Sequence, residues 1–109
     1  MKITDINIKP YMGSGNKRFT AVIKYNDKDM EKTKTVNFGL DTGYTFFDGA
    51  DNKIRAAYIA RHSKSPGEDW NDPLTAGFWS RFFLWQVRKN KTSAYIKSKF
   101  PGAKITINI

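Results

Sequence analysis

The one histidine of the chain stands in its most mixed stretch of charge. His62 follows Arg61, with Arg55 and Lys64 close by. From Asp48 to Gly77 the same stretch carries five acids: Asp48, Asp51, Glu68, Asp69 and Asp72. Arg55, Arg61, His62 and Lys64 have two readings. As an anion clamp they would face a phosphate, whose oxygens match the guanidinium fork. As an ion-pair cluster they would meet the neighbouring acids and the negative end of a helix dipole. A catalytic role would make His62 a general base beside Asp48, Asp51 or Glu68. No nucleophile motif surrounds Ser63 or Ser65, however. A two-metal nuclease or phosphoryl-transfer centre would need Asp41, Asp48, Asp51 and Glu68 gathered from separate elements. There is no second histidine and no cysteine, and Asp48 to Asp51 falls short of a calcium loop. The residues therefore predict no catalytic set, no metal and no cofactor.

The second constellation is a gradient of charge. Residues 1–54 carry nine basic groups against seven acids, and residues 55–109 carry ten against three. The last acid is Asp72. After it come Arg81, Arg88, Lys89, Lys91, Lys97, Lys99 and Lys104, with no negative charge among them. A net charge of +9 distributed this way points to a polyanionic partner, nucleic acid first and DNA before RNA. These seven residues are the expected phosphate contacts. The same face would also suit acidic proteins. Phe78, Trp79, Phe82, Phe83 and Trp85 have the chemistry to stack on bases. At helical spacing, though, such a run reads as core.

These groups must be held by elements that the patterning marks out. Residues 2–8, 17–25 and 33–40 alternate in polarity and are rich in β-branched and aromatic side chains. Polar turns at 13–16 and 26–29 separate them, so they read as an antiparallel meander. Asp48 or Asp51 caps a helix to about His62, which Pro66 ends. Asp72 and Pro73 open an aromatic helix over 73–86. Asn90 and Thr92 break it, and Thr92 or Ser93 caps a short further helix. The last segment, AKITINI, alternates strictly as a closing strand. The order βββ-α-α-β predicts an α+β fold, in which about four mostly antiparallel strands carry helices on one face. The 109 residues form one domain. No apolar run approaches the roughly 18 residues of a membrane span, so no membrane is expected. The first ten residues lack the apolar core of a secretion signal.

The block YIARHSKSPGEDWNDPLTAGFWSRFFLWQ and the preceding VNFGLDTGYTFFDGADNKIRAAY carry a recognisable pattern. It comprises Phe38-Gly39, the segment Asp51 to Tyr58, Arg61-His62 and a Trp-rich AGFWS helix. Over roughly residues 36–86 it resembles a small uncharacterised protein family of large double-stranded DNA viruses of eukaryotes. The resemblance implies a viral protein, intracellular in an infected host cell and packaged in the virion. It transfers no site residues. Charge and resemblance together predict a non-enzymatic nucleic-acid-binding or genome-associated virion protein that contacts mainly phosphate backbone. The alternatives are a minor capsid or scaffold-type interaction protein that meets acidic viral proteins, and a small metal-dependent nuclease or phosphoryl-transfer enzyme.

Overall fold

Three strands open the chain in the computed structural model, which describes residues 1–65 and 69–109. They are β1 (Lys2–Pro10), β2 (Lys17–Asp27) and β3 (Met30–Leu40). Each runs past the bounds that alternation alone suggests. The β2–β3 hairpin closes through Lys28 and Asp29, at φ 52° and 64°. Two successive left-handed residues give the tight loop whose twist matches that of the flanking strands. This explains why the pairing persists out to Asp27 and Met30.

A fourth strand, β4 (Lys104–Ile107), lies beside β1, and the sheet order is β3-β2-β1-β4. The first two ladders are antiparallel and the β1–β4 ladder is parallel. A parallel partner needs a crossover, and the helices between β3 and β4 supply it. The fold is thus α+β, with a mixed four-stranded sheet and three α-helices among the described residues.

Alternation decides the two faces of the sheet. Ile6, Ile8, Phe19, Ala21, Ile23, Val36 and Phe38 are buried on one face beneath the helices. By register, Asn7, Lys9, Thr20, Val22, Lys24, Thr35 and Asn37 lie on the other. There the Thr20 hydroxyl donates to Asn37 Oδ1 at 2.7 Å.

The helix α1 (Asn52–His62) starts where Asp51 accepts the Ile54 amide at 2.9 Å. It rests on the core through Tyr58, stacked on Trp85 at 4.3 Å and 8°. Ile54 is exposed, so the apolar stripe read from spacing is narrower in fact. Pro66, the expected stop, lies outside the described residues.

The expected 73–86 helix is corrected. Asp72 does take the Leu74 amide at 2.9 Å, but this makes only a turn. Thr75 caps the true helix, α2 (Ala76–Trp79), which widens into a π-helical turn over Ser80–Leu84. The Trp79 indole donates to the Pro73 carbonyl at 2.7 Å and so claims an acceptor that a longer helix would use. The wider turn places Trp79, Phe83 and Leu84, at intervals of four and five residues, in the core together. Phe83 meets Phe19, Phe38 and Phe47 at centroid distances of 5.4, 5.6 and 5.5 Å.

The last helix, α3 (Lys89–Lys99), begins before the expected Thr92 or Ser93. Thr92 is buried inside it, and its hydroxyl donates to the Arg88 carbonyl at 2.9 Å. A threonine can satisfy its own hydroxyl this way within a helix. The break therefore falls at residues 85–88, ahead of Asn90.

Candidate functional site

The loop from Tyr44 to Ala50 joins the sheet to α1, and Arg18 fastens it. Arg18 Nη1 donates to Asp48 Oδ2 at 2.6 Å, and its Nη2 donates to Oδ1. Asp48 also accepts from the Thr45 amide and hydroxyl at 3.0 and 2.9 Å. The Arg18 hydrogen bonds, followed by those of Thr45, outweigh desolvation and hold the Asp48 carboxyl at about 2 instead of 3.8. A depressed acid stabilises the fold above its unfolded pKa and loses that contribution as pH falls through the folded one. Between 3.8 and about 2, the native chain should therefore lose stability that Asp48→Asn never had. The expected gap above that window is about 1–2 kcal/mol, allowing for solvent screening of a partly exposed pair. Chemical denaturation of both proteins across the window measures it. Equal pH profiles would show that the bridge contributes nothing.

Of the seven expected phosphate contacts, two face inward. Arg88 Nη1 donates to the Phe46 carbonyl at 3.0 Å and to the Ala50 carbonyl, with its guanidinium 3.7 Å from the Phe46 ring centroid. Arg81 is half-buried, lies near Trp70 and Phe82, and donates to Gln86 Oε1 at 2.7 Å. Desolvation, then the nearby Arg55 charge, pulls its pKa down. Arg55 itself donates Nε to the Trp85 carbonyl at 2.8 Å and reaches Gln86. These three arginines tie the loop, α1 and the segment after the π-turn together.

The lysines divide differently. Lys89, Lys91, Lys97 and Lys99 are exposed on α3, whose buried stripe is Thr92 and Ile96. Lys99 Nζ sits 4.1 Å from the Phe82 ring centroid, so its stem covers aromatic surface while the charge stays outside. Lys104 stands in register with Asp5 on the sheet face away from the helices. The structure thus gathers four of the seven expected residues on one helix. It also reverses an electrostatic sign. If the aromatic helix ran to 86, Arg88 to Lys91 would follow its negative end. Instead Lys89 and Lys91 occupy the first turn of α3, where no side chain caps the backbone amides and the dipole favours anions.

The expected cluster of Arg55, Arg61, His62 and Lys64 is also divided. Arg55 is engaged at Trp85 and Gln86, and Lys64 is exposed. Arg61 makes no ion pair among the described residues, and the considered partner Glu68 lies outside them. Asp69 and Asp72 cap their own turns, through the Asn71 and Leu74 amides. Asp51 caps α1. Among the described residues no three acids or histidines come together as metal ligands.

Arg61 and His62 instead line a cleft of about 420 Å³. Lys17, at the start of β2, and Tyr44, 61% exposed, line it as well. Its floor includes Gly39 at φ 78°, where a Cβ would come within 2.9 Å of Leu84 Cδ1. Tyr58, stacked between His62 and Trp85, forms part of one wall. The small residues Ala76, Gly77 and Ser80 line it too. Sequence reading missed Lys17 and Tyr44. Their only signals are a cation at a strand end and an aromatic residue beside Gly43.

No curated protein and no solved structure matches the chain. A family of unknown function (DUF5754) matches residues 12–62, which span β2, β3, the Arg18-fastened loop and α1 and include Lys17, Tyr44, Arg61 and His62 of the cleft.

Proposed function

We propose that the protein is a non-enzymatic nucleic-acid-binding protein that grips phosphate backbone, DNA before RNA, through α3. The reading is carried by one observation: Lys89, Lys91, Lys97 and Lys99 are exposed on a helix whose whole sequence contains no acid. The uncapped first turn of that helix adds a favourable dipole. Such contacts give affinity without base readout. In the setting that the viral resemblance implies, the ligand would be the genome, inside the infected cell or the virion.

Binding of labelled duplex DNA against salt tests this. Four phosphate contacts predict that log K falls with log salt at a slope of about −3.6. Replacing Lys89, Lys91 and Lys97 together by alanine should flatten that slope by about 2.7 and weaken all sequences alike. Lys104→Ala, on the other sheet face, should leave it unchanged. No DNA or RNA binding at low salt would remove the proposal and leave α3 as a contact face for acidic proteins. An unchanged slope in the triple variant would remove α3 as the site.

A further inference from the structure

We infer that the cleft between the β3 end, α1 and α2 is a binding site for a phosphorylated ligand with a flat ring, a nucleoside monophosphate unit. This site goes beyond the α3 reading and uses none of its lysines.

Three observations converge on it. The first is size: about 420 Å³ is within the range of small-ligand sites. The second is charge. Lys17 and Arg61 come to the cleft from β2 and α1, elements far apart in sequence, and its described lining includes no carboxylate. Both cations lack an ion pair among the described residues. This contrasts with Arg18, Arg55, Arg81 and Arg88, each of which is engaged by an acid, a carbonyl or an amide oxygen. An arginine and a lysine left open in a concave site suit a phosphate, through a planar fork and a mobile point charge.

The third observation is an aromatic surface. Tyr58 and Trp85 are spent on each other, whereas Tyr44, which lines the same cleft as the two cations, remains exposed. An exposed ring in a cleft that also holds anion-binding groups is what a nucleobase stacks on, whatever the base.

The ring and the phosphate belong equally to a free nucleotide and to the 5′-phosphorylated end of a strand. Calorimetry with AMP, with inorganic phosphate alone and with a short 5′-phosphorylated oligonucleotide separates them. AMP should bind, and inorganic phosphate should bind more weakly because it offers nothing to Tyr44. Arg61→Ala and Lys17→Ala should each reduce AMP affinity about tenfold, a charge-assisted contact apiece. Tyr44→Ala should reduce it about fivefold or more, with little effect on phosphate. Unchanged thermal melting would show that each variant is folded. The triple alanine variant at Lys89, Lys91 and Lys97 should keep full AMP affinity, so failure of the α3 reading and failure of this one are distinguishable. Tighter binding of AMP than of the strand end assigns the site to free nucleotide, and the reverse order assigns it to strand termini. Either order supports the site. It is overturned if AMP does not bind at roughly 10 mM, if phosphate alone binds as tightly as AMP, or if the folded Arg61 and Lys17 variants bind AMP as well as the native chain does.

Discussion

Phe83→Ala is expected to destabilise the protein by about 3–5 kcal/mol, the largest effect of any single truncation considered. Phe83 is fully buried and forms the hub between β2, β3 and the Tyr44–Ala50 loop, through Phe19, Phe38 and Phe47. Removing the ring deletes buried apolar surface and leaves a cavity that three rigid aromatic neighbours cannot readily refill. A domain of this size has roughly 5–15 kcal/mol in total, so the variant would sit near its unfolding threshold. The melting midpoint should fall by at least about 12 °C, at roughly 4 °C per kcal/mol. Phe83→Leu, which fills most of the volume, should lose much less. A drop below about 1 kcal/mol for the alanine variant would mean that the π-helical turn does not place Phe83 in the core.

The second large effect is expected at Arg88. Arg88→Ala should cost about 2–4 kcal/mol, because the Phe46 and Ala50 carbonyls lose their donor and the Phe46 face loses its cation. Arg88→Lys should recover only part of this, since an ammonium cannot reproduce the planar fork. Urea unfolding with an unchanged m-value would report it as a true change in stability. The neighbouring Lys89→Ala should stay within about 0.5 kcal/mol, as an exposed lysine does. The pair discriminates two roles for adjacent cations. If Arg88→Ala left stability intact but flattened the salt dependence of DNA binding, Arg88 would be a phosphate contact after all.

These expectations show how far local chemistry reaches in this chain. The strands were legible because alternation is a property of neighbouring residues: Phe19, Ala21 and Ile23 share a face wherever the strand is placed. The start of α1 was legible for the same reason, since Asp51 reaches an amide only three residues away. The division of the aromatic segment was less so. Asp72-Pro73 and Thr75 are both acceptable helix starts. What decides between them is the Trp79 indole on the Pro73 carbonyl, together with a core that needs Trp79, Phe83 and Leu84 on one side.

By itself, the amino-acid sequence determined an α+β chain with three opening strands, an acid-free basic C-terminal third and an aromatic run destined for the core. Tertiary structure alone decided which cations face outward. Arg88 is consumed by carbonyls 38 and 42 residues away, while Lys89 beside it is exposed. Backbone carbonyls occur at every residue and leave no signature in composition, so an arginine satisfied by them looks identical in sequence to one awaiting a phosphate. The cleft was hidden for a related reason. Lys17, Tyr44, Arg61 and Gly77 are scattered over sixty residues and meet only because β3 returns beside β2 and the helices fold back across the sheet.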